Sequence, residues 1–293
     1  MNRQSHRQQA LKRYPHGRQF IVYSFIIQFA THESPFIARN PGSDKIVRPK
    51  AMETQSRRRP AANDKDLMTL MASIASGDTA KVLELVAACT DLARISATNG
   101  ASRADASRYF FPQIRHYLYA GDTALHIAAA GFRFEVVQFL IDHGANSTAK
   151  NRRGAEPLHY ASDCNTWNPA AQVATIECLI RAGANPNSTD RSGVAPIHRA
   201  VRTRCAAAVQ ALLSAGAKPD LANKNGSTPL HLAVQNTGRG GSGNPEAVEQ
   251  QRQIILLLLQ NGASIQRKDG SGRTVDQAAT AGWIRKLLQA GTE

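Results

Sequence analysis

Cysteine is scarce in this sequence: its 293 residues contain only Cys89, Cys164, Cys178 and Cys205. No two of them form a Cys-x-x-Cys pair. Cys89 and Cys178 lie within apolar helical patterns, where a thiol packs as a small hydrophobic group. We therefore expect reduced thiols and no structural disulfide, as in proteins of a reducing compartment. The sequence predicts a cytoplasmic protein, unless an N-terminal signal directs it elsewhere.

A hydrophobic run long enough to cross a bilayer is also missing. The apolar stretch at residues 20–30 has 11 residues, whereas a membrane-spanning helix needs about 20. Basic residues precede it in the outline of a signal peptide, but no small-x-small cleavage site follows. The Arg-rich, acid-poor start is equally typical of an organelle transit peptide. Three interpretations of residues 1–51 stay open: a disordered tail or a segment upstream of a true start at Met52, a targeting signal, or a folded element.

Acidic residues are few relative to basic ones: 22 Asp and Glu stand against 36 Lys and Arg, a net charge of +14. The excess is concentrated in residues 1–60, where 12 basic and 3 acidic side chains give +9. The rest of the chain carries 24 and 19, a net of +5. Because nucleic-acid-binding domains usually have a strongly basic folded part, this does not favour nucleic acid as the main partner. Electrostatic binding of nucleic acid or an anionic membrane through the basic tail is the alternative function.

Motifs of common enzyme classes are absent from the sequence. It contains neither Gly-x-Ser-x-Gly nor His-Glu-x-x-His. The glycine-rich stretch 238–243 is not a phosphate-binding P-loop, because it lacks the Gly-Lys-Ser/Thr ending and follows a predicted helix instead of a strand. Cys164 lies near His159 in the chain, but closeness in sequence is a poor indicator of a catalytic thiol–imidazole pair. We therefore expect a non-catalytic protein with no cofactor and no metal site.

What the sequence does contain is an eight-residue pattern at residues 121–128, 154–161, 193–200 and 226–233. The last copy reads Gly-Ser-Thr-Pro-Leu-His-Leu-Ala, and the leading glycines are 33, 39 and 33 residues apart. Thr228 suits a helix N-cap, and Pro229 suits the first helical position, where its missing N–H costs nothing. Leu230 and Ala233 are three residues apart and share one buried face. The pattern therefore predicts a helix start in every copy.

A repeat of about 33 residues that carries Thr-Pro-Leu-His-x-Ala resembles the ankyrin repeat. The resemblance is strong over residues 121–291 and weaker over 64–94, and its insertions are similar to those of bacterial ankyrin-repeat proteins. It implies an all-α solenoid of stacked helix-turn-helix units with short β-hairpin-like fingers, which binds a partner protein and is not an enzyme. It also implies that the repeat histidines (His126, His159, His198 and His231) hydrogen-bond between repeats. A metal array is the other interpretation of these histidines, but no two lie at ligand spacing.

The resemblance and the composition together divide the chain into units. In order, these are a basic tail at 1–60, an N-terminal capping unit at 61–94, an aromatic insertion at 95–120, repeats at 121–153, 154–192, 193–225 and 226–271, and a C-terminal capping repeat at 272–293. In the last unit, Asp276 is expected at the histidine position. The aromatic insertion has two interpretations, a packed crossover that covers the groove between the first units or an aromatic recognition loop.

Two of the repeats are longer than the others because of insertions between their helices. The extra residues lie at 163–170 and 236–245, in alternate repeats. Their matched placement predicts that the two insertions meet or define one functional edge.

In stacks of this kind, the fingers and the first helices form a concave surface. The residue after each repeat histidine is expected to face it, which applies to Ile127, Tyr160, Arg199 and Leu232. The predicted partner-binding residues are Arg152, Arg153, Tyr160, Arg191, Arg199, Arg202 and Lys224. An aromatic anchor flanked by cations predicts an acidic partner surface, and Tyr160→Ala or Arg199→Ala is expected to weaken binding by about 1–3 kcal/mol. The protein is expected to be a monomer.

Overall fold

Six pairs of α-helices follow one another in the part of the chain that the structure describes. The structure is a computed structural model, and it describes residues 62–163, 166–235 and 244–290. Each pair has an inner helix, which packs on the next inner helix, followed by an outer one. The inner helices are α1 (Asp64–Ser76), α3 (Ala124–Ala130), α5 (Pro157–Ala161), α7 (Pro196–Arg202), α9 (Pro229–Ala233) and α11 (Val275–Ala278). The outer helices are α2 (Thr79–Ala88), α4 (Phe134–Asp142), α6 (Pro169–Arg181), α8 (Ala206–Ser214), α10 (Pro245–Gln260) and α12 (Gly282–Ala290).

Local sequence explains where the helices of a repeat begin and end. Thr123 and Thr228 are N-caps, and proline occupies the first turn of α5, α7 and α9. A glycine follows each of the four outer helices α4, α6, α8 and α10 with φ between 87° and 89° (Gly144, Gly183, Gly216 and Gly262). Glycine adopts this left-handed conformation without steric cost, which ends the helix. The all-α repeat fold predicted from the sequence is therefore present.

The core lies between the inner and outer helices and runs through the whole stack. The apolar residue before each repeat histidine is fully buried (Leu125, Leu158, Ile197 and Leu230). Burying such a side chain stabilises the fold by about 1.5–3 kcal/mol. Because each repeat covers the apolar face of its neighbour, the core is one continuous cluster from α1 to α12.

The fingers between repeats are joined in series by backbone hydrogen bonds. In three successive fingers, the N–H of Arg152, Arg191 and Lys224 donates to a carbonyl of the preceding loop or finger over 2.8–3.0 Å. Within the first two of these fingers, a carboxamide or carboxylate closes the turn, since Asn151 Oδ1 and Asp190 Oδ1 each accept from two backbone N–H groups. The three basic residues therefore occupy the same position in successive fingers and lie in one file.

Residues 95–120 form a crossover that carries a short hairpin. Strands β1 (Phe110–Phe111) and β2 (His116–Tyr117) pair antiparallel. Ile114 in the turn and Leu118 after the second strand are buried. The first ring of β1 and the last ring of β2 stack on the outside, with centroids 4.7 Å apart. The segment therefore packs as a crossover, which is one of the two interpretations. Recognition of a partner through its exposed aromatic rings stays a prediction.

The two insertions shorten the inner helices and lengthen the outer ones. Helices α5 and α9 have 5 residues, against 7 in α3 and α7. Helices α6 and α10 have 13 and 16 residues, against 9 in α4 and α8. A buried glutamine of each long helix bonds a carbonyl at the shortened end. Gln172 Nε2 donates to Ala161 O at 2.9 Å. Gln251 Nε2 donates to Ala233 O at 2.7 Å in the same way.

Replacement of Gln251 by alanine is expected to lower the free energy of unfolding by about 1–3 kcal/mol, because the buried carbonyl of Ala233 loses this donor. Gln253→Ala on the same helix is the matched control, since Gln253 is exposed and bonds to Glu249. Its expected effect is below about 0.5 kcal/mol. Urea unfolding followed by circular dichroism measures both. Equal stabilities for the two variants would contradict the capping role of Gln251.

The expectation that Asp276 takes the histidine position in the last unit is wrong. Thr274 is the N-cap of α11, which makes Gln277 the third helical residue, where the other repeats have histidine. The N–H of Thr274 donates to Gln277 Oε1 at 3.0 Å. The third helical residue is the one whose side chain reaches back to the N-cap, so the N-cap fixes the alignment.

Some predictions concern residues outside the described ranges. These are the tail at 1–60, the glycine-rich stretch 238–243 and Cys164. Among the residues that are described, no helix has both the length and the apolar character needed to cross a membrane.

Candidate partner-binding site

Three of the four repeat histidines hydrogen-bond to a carbonyl of the next repeat. In His126, Nδ1 accepts a hydrogen bond from the N–H of Thr123, the N-cap of its own helix, at 3.1 Å. The ring proton is therefore on Nε2, which donates to the carbonyl of Ala155 in the next repeat at 3.2 Å. In His159 and His231, Nε2 likewise lies 3.1 and 3.3 Å from a carbonyl beyond its own repeat. Hydrogen bonding between repeats, which the resemblance implied, is confirmed for His126, His159 and His231. In His198, Nδ1 accepts from the N–H of Ala195, but the buried Nε2 forms no hydrogen bond with any described residue.

Burial keeps the rings of His126, His159 and His198 uncharged. It lowers the pKa of His126 and His198. Burial, together with the charge of Arg199, lowers the pKa of His159 to about 3. In the described residues, no group of three or more His, Cys, Asp or Glu side chains is placed to hold a metal ion. The rings therefore act as hydrogen-bonding links that set the spacing of the fingers.

Tyr160, predicted as an exposed anchor, is buried, with 1% of its surface exposed. Its hydroxyl donates to the carboxylate of Asp122 at 2.9 Å and accepts from Asn151 Nδ2 at 2.9 Å. The ring of His116, from the hairpin, covers it at a centroid distance of 4.3 Å. Burial and the negative charge of Asp122 raise the pKa of Tyr160, so the hydroxyl keeps its proton. The prediction of an exposed ring is wrong because the hairpin folds over this part of the concave surface.

Arg199 is held in a buried ion triad instead of facing solvent. Its Nη1 lies 2.6 Å from Asp163 Oδ2 and its Nη2 lies 3.2 Å from Asp190 Oδ2. Its side chain is 12% exposed. Burial by itself lowers the pKa of Arg199, but the two carboxylates outweigh it and the net pKa is raised. Arg199 therefore links the finger that precedes its own helix α7 to the end of the preceding inner helix α5.

The other two positions after a repeat histidine are also covered. Ile127 is fully buried and Leu232 is half-buried. Ile127 is part of the core cluster, and Leu232 packs against it. The expectation that the residue after each repeat histidine is exposed to a partner is therefore wrong for Ile127 and Tyr160, which are fully buried.

A cavity of about 530 Å³ lies between the hairpin and the fingers, and we call it the arginine cavity. Six of the seven predicted partner-binding residues line it: Arg152, Arg153, Tyr160, Arg191, Arg199 and Arg202. The seventh, Lys224, is exposed on the next finger and is not part of the lining. The hairpin side contributes Arg115, His116, Tyr117 and Tyr119. The successive fingers and the hairpin thus bring residues from distant parts of the sequence to one cavity.

The arginine cavity has an excess of positive charge. Its two aspartates, Asp163 and Asp190, both pair with Arg199. Arg115, Arg153 and Arg191 are exposed, and the ion pairs found among the described residues include none of these three. Guanidinium groups of this kind can pair with the carboxylate or phosphate groups of a ligand.

The tyrosine at the hairpin base orients two of the finger arginines. The guanidinium carbon of Arg153 lies 4.7 Å from the ring centroid of Tyr119, and that of Arg152 lies 5.6 Å from it. Arg152 also donates to the carbonyl of Ala101. Such cation–π contacts hold a long side chain in place while leaving its hydrogen-bond donors available.

Sequence reasoning did not identify Arg115 or the hairpin tyrosines as part of the site. The signal was the density of aromatic residues at 109–119, which indicated a recognition loop as one of two interpretations. It did not indicate where the hairpin would lie. That position depends on Ile114 and Leu118 entering the core.

The described ends of the two insertions meet on another edge of the stack. Trp167, Arg204 and the first turn of α10 line a cleft of about 280 Å³. The indole of Trp167 is 53% exposed, and Arg204 Nη2 donates to Gln235 O at 3.3 Å. The prediction that the insertions meet agrees with this geometry. A functional role for this edge stays a prediction.

The described cysteines are placed within the packed helices. Cys178 and Cys205 are buried, and burial raises the pKa of both thiols. A raised pKa disfavours the thiolate, which is the reactive form. This environment is typical of structural cysteines.

The helix pairs are stacked, and histidines and fingers hydrogen-bond from one repeat to the next. These features define a repeat protein of the kind that binds other proteins. A family model described as ankyrin repeats in three copies matches residues 70–168 and 168–269. These matches cover more than half of the chain, and the protein belongs to the ankyrin-repeat family. Members of this family are generally non-catalytic protein–protein interaction modules. No curated protein matches the chain.

Proposed function

We propose that the protein is a non-catalytic scaffold that holds an acidic segment of a partner protein in the arginine cavity. The observation that carries the proposal is the convergence of six arginines on one cavity whose two aspartates are already paired. Arginine binds carboxylates through two parallel hydrogen bonds and is prominent among the residues that dominate interface energies. The protein acts as a monomer in the cytoplasm under this proposal.

The arrangement of the cations supports an extended ligand. Arg152, Arg191 and Lys224 lie in one file along the fingers, because each occupies the same position in its finger. A peptide that follows the fingers would pass the arginine cavity and reach Lys224 in the next repeat. Lys224 therefore stays in the proposed interface, although it lies outside the cavity.

Charge reversal at the cavity is expected to weaken partner binding. Once a pull-down with the full chain has identified a partner, Arg153→Glu and Arg191→Glu are each expected to reduce the binding free energy by about 1–3 kcal/mol, since each removes a cation and adds a repelling charge. Arg181→Glu is the matched control, because Arg181 is exposed at the end of the outer helix α6. Calorimetric titration measures the affinities.

Two results decide against the cavity as the binding site. One is wild-type affinity in both cavity variants while each unfolds at the wild-type midpoint. The other is loss of binding in Trp167→Ala with the cavity variants unaffected, which would move the site to the edge formed by the insertions.

The second candidate function is electrostatic binding of nucleic acid or an anionic membrane through residues 1–60. The observation that favours it is the net charge of +9 in this segment. Affinity that depends on phosphate neutralisation falls steeply with salt concentration. A salt titration of any observed binding therefore separates this candidate from recognition by the repeats.

A further inference from the structure

Four arginines approach the arginine cavity from different elements. Arg115 belongs to the hairpin turn, Arg153 and Arg191 to two successive fingers, and Arg202 to the inner helix α7. Arg202 is 63% exposed and its nearest carboxylate oxygen, on Asp163, is 3.8 Å away. The other three take part in none of the ion pairs of the described residues. The donors of these four side chains are therefore available to a ligand from several directions.

A single carboxylate is a poor match for this arrangement. It carries one negative charge in a planar group, and one guanidinium is enough to pair with it in parallel hydrogen bonds. A phosphoryl group carries about −1.5 to −2 at neutral pH and has three strong acceptor oxygens. Because these oxygens are arranged tetrahedrally, they accept from donors on different walls at the same time.

We propose that the arginine cavity takes a phosphorylated serine, threonine or tyrosine side chain of the partner protein. This inference rests on the proposed function, since it names the chemistry of the acidic segment. The volume of about 530 Å³ accommodates such a side chain with part of its backbone. Tyr119 keeps Arg152 and Arg153 directed along the finger edge of the cavity.

The test uses three short glycine-flanked peptides that differ at one residue, with phosphoserine, glutamate or serine. The full chain is titrated with each, and the dissociation constants come from chemical-shift changes in the peptide spectra. The phosphoserine peptide is expected to bind at least about tenfold more tightly than the glutamate peptide, because the dianion gains additional charge-assisted hydrogen bonds. The serine peptide is expected to show no binding.

The same titration on variants locates the site. Arg191→Gln and Arg153→Gln are each expected to weaken phosphopeptide binding by about tenfold, because each removes a charged donor. Arg181→Gln, which removes an equal charge on the outer helix α6, is expected to bind as the wild type does. All substituted residues are exposed, and an unchanged unfolding midpoint confirms that each variant is folded. Arg115→Gln extends the test to the hairpin.

Each other outcome overturns the inference in a distinguishable way. Equal affinity for the glutamate and phosphoserine peptides, lost in the cavity variants, overturns the phosphoryl specificity and leaves the proposed acidic-partner function standing. Phosphopeptide binding that no cavity variant affects overturns the cavity as the site for both. AMP is titrated into the full chain in the same way. Tighter binding of AMP than of the phosphopeptide makes a nucleotide the ligand and overturns recognition of a side chain.

Discussion

Replacement of Arg199 by alanine is expected to lower the free energy of unfolding by about 3–5 kcal/mol, because it leaves the partners of a buried ion pair without compensation. Asp163 and Asp190 each lose a charged hydrogen-bond donor, at 2.6 and 3.2 Å in the native structure. Both carboxylates are largely buried, with 13% and 10% of the side chain exposed. Among the described residues, the other cation that pairs with either carboxylate is the exposed Arg202, which lies 3.8 Å from Asp163 Oδ1.

The control is Arg202→Ala, which removes the same type of side chain from the same helix. Arg202 is 63% exposed, and pairs of exposed groups contribute about 0–1 kcal/mol. Urea unfolding followed by tyrosine and tryptophan fluorescence measures both variants. A loss for Arg199→Ala no larger than that for Arg202→Ala would mean that the two aspartates are solvated, and the ion triad would then have no role in stability.

Substitution of a buried residue in the partner site does not separate a binding role from a structural one. A loss of binding in Arg199→Ala or Tyr160→Ala is ambiguous, because both side chains are buried among groups that hold the repeats together. The exposed arginines of the fingers do not have this problem. Arg153 and Arg191 are therefore the informative positions for function.

The elements that the sequence predicted correctly are those with local causes. In α9, an N-cap threonine, a proline in the first turn and a leucine with a following histidine define the helix start within eight residues. Helices α3, α5 and α7 keep part of this set. Glycines such as Gly144 mark the helix ends, because the left-handed conformation is required there. Repetition of these local signals at a spacing near 33 residues then gives the stack.

The positions that the sequence predicted incorrectly depend on contacts between distant segments. Tyr160 was expected to be exposed, and it is buried because His116 of the hairpin covers its ring and Asp122 accepts a hydrogen bond from its hydroxyl. Nothing near Tyr160 in the chain indicates this. Arg199 was expected to face a partner, and it pairs instead with Asp163 and Asp190, residues from two other loops.

The glutamine that bonds each shortened inner helix has a regular position in the sequence, which is recognised once the structure is known. In both insertion-bearing repeats, a glutamine stands 11 residues before the glycine that ends the outer helix, Gln172 before Gly183 and Gln251 before Gly262. The corresponding residues of the other repeats are Arg133 and Cys205. A shortened inner helix exposes carbonyls that need a donor, and the glutamine supplies it.

Acidification from pH 7 to pH 5 is expected to lower the stability by at least about 2 kcal/mol, before most carboxylates titrate. An unfolded histidine has a pKa near 6.5, whereas burial lowers the folded pKa of His126, His159 and His198. Below pH 6.5 the unfolded state therefore binds protons that the folded state excludes. The contribution of these histidines to the free energy of unfolding is fully present above pH 6.5 and is lost as the pH decreases. For His159, with a folded pKa of about 3, the loss at pH 5 is about 2 kcal/mol.

The decisive variant is His159→Gln, because glutamine does not titrate and the last repeat already uses it. Gln277 accepts the N-cap hydrogen bond at 3.0 Å in the position that histidine has elsewhere. The variant is expected to lie within about 1 kcal/mol of the wild type at pH 7.5. Between pH 6.5 and 5 its stability should fall less steeply than that of the wild type, by about 1.4 kcal/mol per pH unit. Urea unfolding at several pH values measures the slopes. An unchanged slope would mean that His159 is protonated in the folded state, and its assignment as a neutral link between repeats would then be wrong.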